Sequence, residues 1–224
     1  MGAGLFAAFG IGNTYIVVTI FYVLSFLLSL GVAQSSVHPD GSSRWRELVE
    51  GFAYIWSTPR LLALMWLAFL INFAAFPFTL SLLPFSAKEI YRVAEGGLGM
   101  LVAAYASGAF VGSIFMAVTG GARKPATFMF SFAMVWFVLL AIFAVITKIE
   151  IGLAILFIIG IVQSFTMLSM ASLIIGSAAA ELRGRVLGVR MLAVYGLAMA
   201  LPIAGVLIEA IGYTNTTWIF VLIA

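Results

Sequence analysis

Long apolar runs separated by short polar breaks make up most of this chain. Residues 14–33, 61–85, 97–119, 126–147, 151–175 and 186–208 are apolar or small almost throughout, and none alternates with a period of two. A bilayer offers the backbone no hydrogen-bond partners, so runs of this length read as membrane-spanning helices rather than barrel strands. Six full spans are predicted. A last run from Tyr213 to Ala224 has twelve residues. At about 1.5 Å per residue it reaches only about 18 Å into a hydrocarbon core about 30 Å thick. The residues before Gly10 form a similarly short apolar tail, so the chain reads as a fragment cut through two equivalent helical hairpins.

The longest break, residues 34–60, has two parts. Ser35, Ser36, Pro39, Asp40, Gly41, Ser42 and Ser43 mark a loop, and Arg44 to Trp56 has helical periodicity. Trp45, Leu48, Val49, Phe52 and Trp56 recur at spacings of three and four, with Arg44, Arg46, Glu47 and Glu50 in other directions. This segment is too charged to span. It is expected to lie on the membrane surface with its tryptophans at headgroup depth, or to offer a docking face to a soluble partner. Pro59 then opens the next span.

Composition agrees with the pattern: 64% of residues are hydrophobic and 8% charged, against about a quarter charged in a soluble domain. The formal charge of +3 rests on few groups and does not point to nucleic acid. The chain contains no cysteine, which excludes disulfides and thiolate chemistry. Basic residues alternate by loop. Arg44, Arg46, Arg60, Arg123, Lys124, Arg183, Arg185 and Arg190 fall in the 34–60, 120–125 and 176–190 breaks, against Lys88, Arg92 and Lys148 in the others. The positive-inside rule makes the first group cytoplasmic in a multi-pass protein of the cell inner (plasma) membrane. Leu5, Ala8, Gly10, Asn13 and Thr14 recur as Leu207, Ala210, Gly212, Asn215 and Thr216 at one offset of 202. Both Gly-x-x-Asn-Thr segments then sit on the outer side, as hairpin turns of two parallel repeats would.

The segment from Glu181 to Val189, with Arg183-Gly184-Arg185, followed by Gly196, Pro202 and Gly205, resembles the start of the eleventh helix in the major facilitator superfamily of secondary transporters. The bacterial drug-efflux and siderophore-exporter branch is the most similar. A second superfamily turn, Gly-x-x-x-Asp-x-x-Gly-Arg-Arg, has a degenerate counterpart in Gly120-Gly121-Ala122-Arg123-Lys124, with Thr119 where Asp is usual. The resemblance implies an all-α polytopic bundle. Residues 1–33 would hold the end of a fifth helix and the sixth, 34–60 the cytoplasmic linker, and 61–224 helices seven to a truncated twelfth. The N-terminal half would be missing.

Polar residues inside spans mark candidate pathway positions, because an unpaired amide in hydrocarbon is unfavourable by several kcal/mol. Asn72 and Gln163 qualify, with Ser164, Thr166 and Ser169 near the second. On the superfamily template their spans line the central cavity, and Phe73, Phe76 and Phe78 around Pro77 would give it an aromatic wall. The alternative is helix packing, since interhelical amide and hydroxyl bonds also hold bundles together. Arg183, Gly184 and Arg185 would form an inner gate, Gly184 allowing close backbone approach and the arginines pairing acids or helix C-termini, or would simply follow membrane orientation. Arg123 and Lys124 share that choice. Arg190 either meets an anionic group or snorkels to the interface. Ala104, Gly108 and Gly112, and Gly196, Ala200 and Ala204, form small faces for close helix contact, and Pro77 and Pro202 are expected to kink their spans.

No Walker loop is present, and His38 has no ligands nearby in sequence, so neither ATP, a metal nor any other cofactor is expected. Glu181 and Glu209 flank their span rather than entering its centre. The expected function is alternating-access transport of a small amphiphilic molecule, an export driven by a proton gradient. The lipid bilayer, the substrate and the proton are its partners. A membrane subunit of an ATP-driven permease, a non-transporting scaffold or an intramembrane enzyme are the alternatives, the last disfavoured by the lack of a paired catalytic constellation.

Overall fold

The computed structural model describes residues 2–31, 44–93, 95–121 and 124–224, and every regular element among them is helical. The loop expected at 34–43, with His38, lies outside the described residues. We number the helices α1 (Gly2–Leu30), α2 (Arg44–Ser57), α3 (Pro59–Ile90), α4 (Glu95–Val118), α5 (Pro125–Phe143), α6 (Ile149–Ser177), α7 (Arg183–Leu192), α8 (Tyr195–Ile211) and α9 (Tyr213–Ile223). The 3₁₀ turn Ala180–Leu182 and α7–α8 make one apolar stretch, Ala180–Ile211. Among the described residues, five stretches are long and apolar enough to cross a membrane: α3, Gly97–Val118 of α4, α5, α6 and Ala180–Ile211. Tyr15–Leu30 of α1 is a shorter apolar stretch.

Boundaries follow local chemistry. Pro59 and Pro125 open α3 and α5, where the absent N–H would have had no partner in any case. Gly120 and Gly121 turn the chain with φ of 69° and 87°, and Gly212 at φ 83° ends α8 and starts α9. These left-handed conformations favour glycine. The first Gly-x-x-Asn-Thr segment does not behave like the second. α1 runs unbroken through Gly10 and Asn13, so the hairpin turn expected there does not form. Gly10 shows no positive φ, and a single glycine in a helix costs only about 1 kcal/mol against alanine.

The two intramembrane prolines sit in different backbone settings. Pro77 lies between two π-helical turns, Ile71–Ala75 and Phe78–Leu82, and a third, Ser86–Ile90, follows Pro84. A proline removes one i→i−4 bond and crowds the carbonyl four residues back, and the wider turns absorb both effects. Pro202 lies within the continuous α8. The helix assignment in that span is interrupted at Ala193–Val194, where i→i−3 bonds from Ala193 to Arg190 and from Val194 to Met191 tighten the backbone.

α4 and α5 each pack along α6, α3 lies against α6 and α8, and α9 packs against α5 and α8. The seam between α4 and α6 is backbone on backbone. A Cβ on Gly108 would strike the Phe157 carbonyl, one on Gly112 the Ile161 carbonyl, and one on Gly160 the backbone at Tyr105 and Ala109. Ser164 Oγ crosses the seam to donate to the Ala109 carbonyl at 2.7 Å. The second small stripe behaves alike: Gly196, Ala200 and Ala204 are buried, with Gly196 against the Phe69 carbonyl. Trp136, Phe78, Phe143 and Phe220 are the largest side chains in the core.

Overpacking a close seam destabilises by about 1–3 kcal/mol, and more where the obstacle is backbone. Gly160→Leu is therefore expected to lower the thermal unfolding midpoint in detergent micelles. Gly205→Ala, whose Cβ meets nothing within 4 Å, leaves it in place. Equal midpoints for the two variants would contradict the seam.

Candidate functional site

Three helices bring polar side chains together at mid-length of the bundle. Tyr105 of α4 carries a buried hydroxyl with no hydrogen-bond partner. The side chains of Thr79, in a π turn of α3, and Gln163, the central residue of α6, adjoin it without reaching hydrogen-bond geometry. A hydroxyl held in hydrocarbon without a partner is unfavourable, so such a group is either relieved by a ligand or water or retained for another reason. Gln163 was legible in the sequence as a mid-span amide. Tyr105 and Thr79 were not singled out there, because tyrosine and threonine are tolerated in apolar spans and only the fold reveals them as neighbours.

The other pathway candidates divide. Asn72 is half-buried and donates Nδ2 to the Ala68 carbonyl of its own helix at 2.8 Å. Phe76 is half-buried, its ring edge-on to Trp136 at 6.2 Å. Phe73 lies between Phe69 and Phe220. Phe78 is a core residue, 2% exposed and edge-on to Phe143 at 5.2 Å. Thr166 has no exposed surface, and its hydroxyl donates to the Val162 carbonyl at 3.0 Å. Thr166 and Phe78 thus belong to the core. A cleft of about 690 Å³ does open between the ends of α4 and α6, lined by Ser113, Gly120, Gly121, Ser172 and Ile175 among others.

The basic motif lies at that same end. Arg183 donates Nε to the Ile175 carbonyl at 3.1 Å, in the last turn of α6, where a cation meets the negative end of the helix dipole. Arg185 forms an ion pair with Glu50 of α2, and Arg46 approaches the same carboxylate at 3.6 Å. Arg190 is half-buried and makes no ion pair among the described residues. Lys124 is exposed, and Arg123 lies outside the described residues. Gly184 does not allow the close approach expected of it, because nothing stands within 4 Å of its Cβ direction. The close approach occurs at Gly51 of α2, where a Cβ would lie 3.1 Å from Cβ of Arg185.

The opposite end carries its own cluster. Tyr213 stacks on Phe85, Thr214 donates to the Ala144 carbonyl at 3.2 Å, and Tyr91 stands against Phe143. Tyr91, Ala144 and Gly212 are thereby grouped at one end. The α2–α7 contacts stand at the other.

The family model described as Major Facilitator Superfamily matches residues 1–203 of this chain. The chain belongs to that superfamily. No curated protein and no solved structure matches it. Superfamily membership, with five apolar membrane-length stretches among the described residues, makes this a multi-pass membrane protein of the class that moves small molecules across the bilayer, a class of carriers rather than enzymes in general.

The absence of native cysteine makes single-cysteine variants clean reporters of this geometry. In the purified protein Thr166→Cys is expected to stay unreactive to a maleimide, while Lys124→Cys labels rapidly. Comparable rates would contradict the burial of Thr166.

Proposed function

We propose that this superfamily member exports a small amphiphilic molecule across the plasma membrane by proton-driven alternating access, with Tyr105, Thr79 and Gln163 on its substrate path. The observation that carries this reading is the unpartnered Tyr105 hydroxyl at mid-depth on three converging helices. Secondary transporters place their sites near the bilayer midplane, where irregular backbone lines a cavity, and the π turns of α3 supply such irregularity beside Asn72 and Thr79. Neutral donors and acceptors beside Phe76 suit a cargo with an apolar body and a few polar groups.

The basic 34–60, 120–125 and 176–190 segments face the cytoplasm in this reading, and Arg183, Arg185 and Arg190 stabilise the inside-closed state. Arg183 acts through the α6 C-terminus and Arg185 through Glu50. Glu150, Glu181 and Glu209 are exposed near helix ends and Glu50 is exposed on the amphipathic α2, so a proton-carrying carboxylate at mid-depth is not supplied by these groups. It would come from the first half of the transporter.

The test is efflux of ethidium, a fluorescent amphiphilic cation, from vesicles carrying the full transporter. Export is expected to collapse with a protonophore. Tyr105→Phe and Gln163→Leu are each expected to reduce it about tenfold, as loss of roughly 1.4 kcal/mol of binding would. The unfolding midpoint stays in place in Tyr105→Phe, because the lost hydroxyl has no partner. Export indifferent to the protonophore would remove the proton, and wild-type export in both variants would remove the site.

A further inference from the structure

Hydroxyl groups of Ser86, Tyr91, Tyr213 and Thr217 gather at the end of the bundle opposite the α2–α7 contacts, apart from the proposed path. Ser86 lies in the last π turn of α3 and Tyr91 follows that turn, while Tyr213 and Thr217 come from the start of α9. Ser86, Tyr213 and Thr217 are 1%, 6% and 2% exposed. The hydroxyl oxygens of Tyr91 and Tyr213 are buried and have no hydrogen-bond partner among the described residues. Ser86, Thr217 and Tyr91 all stand near the Tyr213 hydroxyl, yet none reaches hydrogen-bond geometry with it. Ring contacts fix both tyrosines, Tyr213 stacked on Phe85 at 5.8 Å and Tyr91 edge-on to Phe143 at 6.1 Å. Gly152, in the first turn of α6, leaves the space that the Tyr91 hydroxyl occupies, because a Cβ there would lie 2.6 Å from it.

The hydroxyl protons divide unevenly among these groups. Ser86 donates its own to the Leu83 carbonyl at 2.9 Å and Thr217 to the Tyr213 carbonyl at 3.0 Å, so each has only lone pairs left to offer. Both tyrosines keep theirs unspent. Two donors and two acceptors thus share one enclosed corner without meeting, and each orphaned tyrosine hydroxyl would bear its full desolvation penalty. A water molecule has the matching complement: two lone pairs accept from the tyrosines and two protons go to Ser86 and Thr217. Buried waters make two to four such bonds. The enclosure of these groups suits nothing much larger, and neutral oxygens alone compensate a buried cation poorly.

We propose that a buried water molecule is a fixed component of this corner, held by Tyr91, Tyr213, Ser86 and Thr217 and joining the end of α3 to the start of α9. The π turn Ser86–Ile90 is part of the site. Its closing bond, from the Tyr91 N–H to the Ser86 carbonyl at 2.9 Å, spans five residues. Five residues of α-helix would carry a side chain well past one full turn, whereas the wider π turn brings Ser86 and Tyr91 nearer to one side of α3. The joint differs in kind from the α4–α6 seam, where backbones touch directly.

Radiolytic labelling of the full transporter in detergent micelles tests this directly, because an ionising pulse turns bound water into hydroxyl radicals that oxidise the side chains touching it. A scavenger in the bulk solvent removes radicals formed elsewhere. With the scavenger present, Tyr213 and Tyr91 are expected to be oxidised severalfold faster than Phe78 and Phe220, which are buried against other rings. Thr217→Val keeps the side-chain shape and removes one acceptor, and Gly152→Ala pushes the Tyr91 hydroxyl out of its place. Each variant is expected to lower Tyr213 oxidation toward the phenylalanine rate while labelling elsewhere is unchanged. Oxidation of Tyr213 no faster than that of Phe220 would overturn the bound water, and so would labelling that the scavenger abolishes. Wild-type Tyr213 rates in both variants would overturn its assignment to these four groups.

Discussion

The close contact between α4 and α6 is what the rest of the bundle depends on. Lipid tails are as apolar as leucine, so helices in a membrane gain little by hiding apolar surface from one another, and association rests on van der Waals packing and hydrogen bonds. Gly108, Gly112 and Gly160 let the two backbones meet, and the Ser164 hydroxyl ties one to the other. With that seam fixed, Tyr105 and Gln163 have no choice but to face the same space, since Tyr105 lies one turn before Gly108 and Gln163 one turn after Gly160. The same small residues that hold the bundle together therefore set the geometry of the proposed path.

Much of the fold was legible from the chain because the membrane imposes simple rules. The spans at 97–119, 126–147 and 151–175 correspond closely to α4, α5 and α6, and the amphipathic segment at 44–56 to α2. The glycine stripes correctly announced close contact, because a row of absent side chains has few other uses. Local irregularities were harder to read. Pro77 was absorbed by π turns and Pro202 by an unbroken helix, while the break at Ala193–Val194 has no proline or glycine at it. Such features depend on what neighbouring helices supply, which periodicity does not record. The repeat misled at its first copy: five matched residues do not make a turn unless the glycine is driven to positive φ, as it is at Gly212 and not at Gly10.

The site was less legible than the fold. Gln163 stood out as an amide in an apolar span, yet its neighbours Tyr105 and Thr79 lie far away in sequence and carry no motif. Thr166, three residues from Gln163 and so on nearly the same helix face, is fully buried, with its hydroxyl spent on the Val162 carbonyl of its own helix. The arginine motif was found as such, and its Glu50 partner was not, because a carboxylate on a charged surface helix has an ordinary explanation in its i,i+4 neighbour Arg46. Gly184 and Gly51 exchanged roles for a similar reason: a glycine inside a recognised motif draws attention, whereas the one that meets the opposing backbone lay in the linker.

The central claim is that a path through the bilayer passes Tyr105 and is open to one side at a time. Its most direct test is two-sided labelling of a lone cysteine at Tyr105 in oriented vesicles of the full transporter, using impermeant maleimides added first on one face and then on the other. Alternating access predicts that either face alone can label the position and that no reagent passes through to the far side. Labelling from neither face, or passage of the reagent across the membrane, would contradict it.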